Sequence, residues 1–157
     1  MWQWMKCMGL ACGVLVIGTA LTGCSDVKIG VTEDRLAPCP NKPNCITSMT
    51  GDKDSRVQPL AYAGPKKNAR STLIAVLQGM KRCTIQTKKN DYIHATFQSA
   101  LLGFVDDVEF YFPEDTSVIH VRSAARSGYY DFGVNKRRLE EIRERFRARM
   151  SEDLMQG

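Results

Sequence analysis

Four segments between residues 83 and 124 alternate polar and apolar side chains, and this alternation constrains the fold more than any other feature. They read CTIQTKK, DYIHATFQS, FVDDVEFYF and SVIHVRSA. A two-residue period is typical of β-strands that bury one face. Asn90-Asp91 and the stretch PEDT at 113–116 have the composition of turns. Because the connections are short, we expect neighbouring strands to be antiparallel.

Helical periods flank these strands on both sides. Apolar residues spaced by three and four follow Pro65, and a second stripe of this kind lies near the C-terminus. The first stripe comprises Ala69, Leu73, Val76, Leu77 and Met80, and the second comprises Leu139, Ile142, Phe146 and Met150. Asn135 is a suitable N-cap for the second helix. The sequence therefore predicts an α+β fold: an antiparallel sheet of about four strands with two helices packed on one face.

The first 23 residues resemble the signal peptide of a bacterial lipoprotein. Lys6 precedes an apolar run at 7–20, which is shorter than the roughly 20 residues that span a bilayer. The run ends in LTGC at 21–24, which resembles a lipobox, in which the thiol of Cys24 would accept the lipid. An uncleaved membrane anchor, or a secretory signal cleaved elsewhere, is the alternative interpretation.

This leader determines the organisation and location that we expect. Residues 1–23 would be the signal peptide, 24–37 a polar tether and 38–157 a single α+β domain. Several acyl chains on Cys24 would anchor the protein durably in a membrane. Ser25 directly after the cysteine favours the outer membrane. We therefore expect a lipid-anchored protein of the bacterial cell envelope, on the outer membrane and facing the periplasm.

Charge and cysteines limit the classes of function. Without the leader, which holds only Lys6, 21 of the 22 Lys and Arg face 17 Asp and Glu, a net charge of +4. This mild excess does not establish a nucleic-acid partner, and the envelope location argues against one, so we expect none. In an oxidising envelope Cys39 and Cys45 can form a disulfide, with two free thiols as the alternative. Their spacing, without clustered histidines, does not indicate a metal site, and Cys83 is expected to be a buried thiol.

Alternation within the strands places a group of polar side chains on the sheet face away from the helices. The group comprises Tyr92, His94, Asp107, Glu109, His120 and Arg122. Asp106 falls on the opposite, apolar face, where an unpaired carboxylate would be costly. Asp106 therefore needs either a partner, for which Arg126 is the candidate, or a β-bulge that turns its side chain outward.

The predicted start of the last helix carries an unusual run of cations. Lys136, Arg137 and Arg138 lie where the helix dipole disfavours a cation by about 0.3–1 kcal/mol each. An acidic group is therefore expected at this turn. It is either a carboxylate of the fold, such as Asp106, Asp107 or Asp131, or an anionic ligand.

Four motifs resemble, in the same order, those of the domain-of-unknown-function 1499 family. They are CPNKPNC at 39–45, YIHA at 92–95, FVDDVEF at 104–110 and RSAARSGYYDFGVNKRR at 122–138. The family string in the last motif is RSxSRxGxxDxGxNxxR, and here Ala125 replaces its second serine. The residues that match this string are Arg122, Ser123, Arg126, Gly128, Asp131, Gly133, Asn135 and Arg138.

The resemblance covers roughly residues 36–150, nearly all of the predicted mature chain. It implies a bacterial or plastid protein, often a lipoprotein or otherwise attached to a membrane. It implies no activity. A mechanism must therefore be argued from the residues themselves.

Two functions are compatible with these residues. In the first, a non-catalytic binding or structural module holds an anionic envelope ligand or a protein partner with its cations, unless internal carboxylates neutralise them. In the second, a small hydrolase or isomerase uses Asp or Glu with His94 or His120 as acid and base. No nucleophile elbow, phosphate loop or zinc-protease motif supports the second, so we favour the first and expect no cofactor. The candidate cluster comprises Asp106, Asp107, Glu109, Arg122, Ser123, Arg126, Asp131, Asn135 and Arg138.

Overall fold

A computed structural model describes residues 28–155, which form two helices and eight strands. The strands are β1 (Val31–Thr32), β2 (Arg35–Leu36), β3 (Cys45–Thr47), β4 (Leu60–Ala61), β5 (Cys83–Lys88), β6 (Tyr92–Gln98), β7 (Val105–Tyr111) and β8 (Val118–Ala125). The helices are α1 (Lys66–Gln78) and α2 (Val134–Met155). Within the described residues, neither helix combines the length and the apolar character needed to cross a membrane.

The expectation of a sheet of about four strands is wrong, because the main sheet has six. Its order is β3-β8-β7-β6-β5, and β4 pairs with a separate part of β8. The strand pairs are antiparallel, and β1 and β2 form a further two-stranded sheet. The extra strands contain two or three residues each. A period of two cannot be recognised in segments so short, and the surrounding prolines and polar residues are typical of loops.

Both helices pack against one face of the six-stranded sheet and form the main core. Ile93, Phe110 and Val121 project from the central strands towards this core, and each is fully buried. Leu73 and Leu77 of α1 reach the same core, as does the stripe of α2 that includes Phe146. Each large apolar side chain buried in this way contributes about 1.5–3 kcal/mol.

The second face of the sheet is also covered. The β1–β2 hairpin lies over it, and Leu36 packs there against Tyr92 and Tyr111 in a small second core. Antiparallel sheets often leave one face to solvent, but here the hairpin closes it. Residues Val31–Leu36 belong to the segment expected to be a tether, and the domain boundaries as a whole stay a prediction. Cys24 and the predicted signal peptide lie outside the described residues.

Candidate functional site

The centre of the hairpin-covered face is a buried ion pair between Glu109 of β7 and Arg122 of β8. The two residues are direct cross-strand neighbours, and the Arg122 Nη1 lies 2.7 Å from the Glu109 Oε2. The other carboxylate oxygen accepts hydrogen bonds from the Tyr92 hydroxyl at 2.8 Å and from the Gly30 backbone N–H at 2.6 Å. Three donors from three parts of the chain therefore meet at this carboxylate.

Asp107 forms a second charged group on the same face. Arg126 donates to both of its carboxylate oxygens at 2.8 Å, and the His94 Nε2 lies 2.7 Å from one of them. Burial alone would raise the pKa of this carboxyl, but the hydrogen bonds from Arg126 and His94 hold its pKa at about 2. Asp107 is therefore an ionised anchor for two neighbouring side chains.

His120 lies on the same face but is not joined to this pair. Its Nδ1 is 3.1 Å from the Ser48 hydroxyl oxygen. Burial lowers the pKa of this imidazole, and the charge of the nearby Arg35 adds to the effect. Of the two histidines proposed as acid or base, only His94 therefore contacts a carboxylate.

The helix side of the sheet holds four other members of the predicted cluster: Asp106, Ser123, Asn135 and Arg138. Asp106 binds Arg138 of α2 at 2.7 Å, so the expectation that Arg126 would be its partner is wrong. Arg126 instead binds Asp107, because consecutive residues of a strand point to opposite faces. Arg138 also donates to the side-chain oxygen of Asn135, which accepts from the Ser123 hydroxyl as well.

The start of α2 depends on Asp131 rather than on Asn135, whose assignment as N-cap is wrong. The two Asp131 carboxylate oxygens accept from the backbone N–H groups of Gly133 and Asn135, both at 2.9 Å. The Asn135 side chain is instead fully buried and donates to the backbone carbonyl of Asn44. Gly133 precedes the helix with a φ of 72°, a conformation that favours glycine. Carboxylates of the fold itself, those of Asp131 and Asp106, therefore lie beside the cationic first turn.

A cavity of about 280 Å³ opens beside the Glu109–Arg122 pair. We call it the Arg122 pocket; its polar lining comprises Lys28, Lys42, Asn44, Arg122, Arg126 and the Gly128 backbone. Among the described residues, two buried side-chain polar atoms have no hydrogen-bond partner, and both belong to residues that line this pocket: the Arg122 Nε and the Asn44 Oδ1. An orphaned donor in a side chain only 1% exposed is rare in folded proteins.

The wall of the Arg122 pocket is a short cross-linked segment. A disulfide joins Cys39 to Cys45. The Asn44 amide N–H donates to the Gly128 carbonyl at 2.7 Å, which ties this segment to the loop after β8. The amide orientation is thereby determined, so that the Asn44 oxygen is left without a partner.

Sequence reasoning missed three residues of this pocket: Lys28, Lys42 and Asn44. Lys42 and Asn44 lie within CPNKPNC, a motif that was available as a signal. Lys28 lies in the predicted tether, and nothing local in the sequence indicates its position. Within residues 28–155, no group of three or more His, Cys, Asp or Glu side chains is placed to hold a metal ion.

Comparison with known proteins identifies a family. No curated protein matches the sequence. Residues 35–146 match the family described as "Protein of unknown function (DUF1499)", which covers most of the chain and includes the Glu109–Arg122 pair, the Asp107 group and the disulfide. The chain therefore belongs to the DUF1499 family, as its motifs indicated.

Proposed function

We propose that this protein binds an anionic group in the Arg122 pocket and does not transform it. The observation that carries the proposal is that the two orphaned atoms, the Arg122 Nε donor and the Asn44 Oδ1 acceptor, belong to residues that line one cavity. A buried donor without a partner costs about 1–3 kcal/mol, which a ligand oxygen would recover.

The charge of the pocket supports an anion. Its described lining contains four cationic side chains and no Asp or Glu. Arg122 and Arg126 are each bound to a carboxylate on one side, whereas Lys28 and Lys42 are exposed at the mouth. Guanidinium groups held in place in this way bind carboxylate or phosphate oxygens with little loss of side-chain entropy.

The proposed setting is the bacterial envelope. Cleavage before Cys24 and acylation of its thiol would leave the folded domain attached to a membrane, on the outer membrane and facing the periplasm. The lipobox-like stretch at 21–24 supports this part of the proposal. The ligand would then be an anionic envelope component or the acidic group of a protein partner.

A second candidate is acid–base catalysis by His94 and Asp107, whose side chains lie 2.7 Å apart. Two observations weigh against it. His94 is only 5% exposed, and neither residue lines the Arg122 pocket. A carboxyl with a pKa of about 2 is also a weak base near neutral pH.

Nuclear magnetic resonance of the full chain in detergent micelles tests binding at the orphaned atom itself. We expect the Arg122 Nε–H signal to shift saturably when inorganic phosphate is added at constant ionic strength. Arg143 provides the internal reference, since its Nε already donates to Glu140. Lys28→Ala and Lys42→Ala should each weaken the affinity about threefold or more, because each removes an exposed cation from the mouth.

Lys53→Ala is the matched control, since Lys53 is also exposed but does not line the Arg122 pocket. If it weakens binding as much as Lys42→Ala does, the attraction is non-specific and the proposal fails. A shift that never saturates, or that is equal for Arg122 and Arg143, would contradict it as well.

A further inference from the structure

One end of the sheet collects the exposed apolar side chains of the molecule. We call it the loop end and define it by residues 28–29, the β6–β7 turn at 99–104 and the β8–α2 connection at 126–134. Within residues 28–155, every large apolar side chain described as exposed, apart from Met155, belongs to these three segments. Single exposed apolar residues are ordinary, but a concentration at one end indicates an interaction surface.

Two apolar tips dominate the loop end. Leu101 is 95% exposed, and Leu102 and Phe104 are exposed beside it in the β6–β7 turn. The second tip contains Tyr129, Tyr130 and Phe132, and Phe132 is 77% exposed. The backbone brings the two tips to the same end, because the N–H of Arg126 donates to the carbonyl of Val105.

Cations lie beside these tips. Lys28 and Arg126 line the Arg122 pocket, and a broader groove continues past Lys42 to Tyr129 and Lys136. The lining of that groove also contains Asp52, Asp54 and Asp131, whereas the lining of the Arg122 pocket contains no Asp or Glu. Arg137 is exposed on the first turn of α2. Leucine, phenylalanine and tyrosine side chains amid lysines and arginines are the composition that settles at an anionic lipid surface.

The path of the chain brings the same end to a bilayer. Lys28 lines the Arg122 pocket near Arg126, Gly30 reaches Glu109 in the middle of β7, and Asp34 binds Tyr111 at the far end of that strand. The chain therefore enters the fold at the loop end. Lys28 is four residues after Cys24, a distance of at most about 14 Å. The far end of β7 lies roughly 20 Å beyond its near end, so a lipid on Cys24 favours contact at the loop end.

We propose that the loop end docks on the membrane, with Leu101, Leu102, Tyr130 and Phe132 inserted among the headgroups and with an anionic lipid headgroup at the Arg122 pocket. This inference rests on the proposed lipid anchor at Cys24. The anchor holds the protein at the bilayer, and the loop end determines its orientation there. The loop end binds a lipid surface rather than a second copy of this chain, because cations and apolar tips occur there together. The segment that leads from Cys24 also joins the fold at this end.

Quenching by brominated lipids tests this orientation. The full chain, with Trp2→Phe and Trp4→Phe to remove its only tryptophans, is reconstituted in vesicles of phosphatidylethanolamine and phosphatidylglycerol. A single tryptophan is introduced by Leu102→Trp or by Phe132→Trp. Bromines on the acyl chains should reduce its fluorescence about twofold, because interfacial side chains lie roughly 5–10 Å into the headgroup–acyl boundary.

Met155→Trp is the control, because Met155 is exposed but lies at the other end of α2, about 30 Å from Val134. Its fluorescence should not change. Equal quenching at all three positions, or none at any, overturns the docking surface. Protection of positions 102 and 132 from aqueous iodide, without quenching by bromine, would indicate contact with a second copy of the chain and overturn it too. Mass spectrometry separates the two proposals: a chain without acyl mass contradicts the anchor, and an acylated, unquenched chain contradicts the docking surface alone.

Discussion

Arg122 is a single side chain with two environments. One of its terminal nitrogens is bound to Glu109, while its Nε, in the same buried group, has no partner. The ion pair keeps the guanidinium in place, and in the proposed function the orphaned donor contacts a ligand oxygen. A buried ion pair is weak evidence of stabilisation by itself. The position of Arg122 is better explained if the pair serves to hold a binding group.

Asp107 predicts a specific dependence of stability on pH. The pKa of its carboxyl is lowered from 3.8 to about 2 in the folded chain. A carboxyl whose pKa is lowered by folding stabilises the folded state at any pH above its ordinary pKa. This stabilisation is lost as the pH falls through the pKa that the carboxyl has in the folded chain. We therefore expect Asp107→Asn to reduce the free energy of unfolding by about 2 kcal/mol at pH 7, because each unit of pKa shift corresponds to roughly 1.4 kcal/mol.

Urea unfolding at several pH values measures this effect. The difference between Asp107→Asn and the unchanged chain should shrink between pH 4 and pH 2. Asp115→Asn alters an exposed carboxylate in the β7–β8 turn and should change stability by less than about 0.5 kcal/mol at any pH. If the difference in the free energy of unfolding stays constant down to pH 2, the charge of the Asp107 carboxylate is not what stabilises the folded chain.

At the scale of elements, α2 begins where the β8–α2 connection supplies an acceptor. Asp131 accepts from the backbone N–H of Gly133, just before the helix, and from that of Asn135 in its first turn. Its negative charge opposes the unfavourable position of Lys136 and Arg137. Asp131→Ala should therefore destabilise the protein by about 1 kcal/mol, the typical cost of a lost cap. Asp131→Asn keeps one side-chain oxygen and should cost less. Thermal unfolding followed by circular dichroism ranks the two variants, and an equal loss would contradict the capping role.

The elements differ in how far sequence could predict them. In β6 and β7, seven residues each, alternation was long enough to place His94 and Glu109 on one face. In β3 and β4 the alternation was too short to assign a face, and the pairing of these strands with β8 depends on contacts between residues distant in the chain. The partner of Asp106 was missed for the same reason. Periodicity determines a face, whereas Arg138, 32 residues away, is brought there by the packing of α2.

The candidate site, too, could be predicted from local sequence only in part. The charged residues were recognised from the sequence, but the sheet places them in two groups on opposite faces. The Arg122 pocket also needs Lys28, from a segment that had no pattern of its own. The contact that places this segment is the hydrogen bond from Gly30 to Glu109, across 79 residues. No local signal encodes a contact of that range.

At the scale of the whole molecule, the sheet separates two ion pairs whose carboxylates lie close together in the sequence. Asp106 and Arg138 lie on the helix side, and Glu109 and Arg122 lie under the hairpin. Asp106 and Glu109 are three residues apart on β7, or about 10 Å along the strand. Sites at this distance that share no partner contribute additively to stability. The two groups should therefore behave as independent units.

Two double-mutant cycles test this independence. Glu109→Gln alone should cost about 3–5 kcal/mol, because it leaves the buried Arg122 unpaired. Adding Arg122→Gln should cost less than its separate effect, with a coupling of roughly 1–3 kcal/mol, since the pair is already broken. Adding Asp106→Asn instead should be additive within about 0.5 kcal/mol.

Urea unfolding with linear extrapolation provides the free energies, with trimethylamine N-oxide added to every sample so that weakened variants stay folded. Coupling above about 1 kcal/mol between Asp106 and Glu109 would mean that the charges act as one network through the sheet. The helix side would then influence the Arg122 pocket. Additivity would instead leave the hairpin-covered face as a self-contained unit, in which a ligand's effect on stability should depend on Glu109 and not on Asp106.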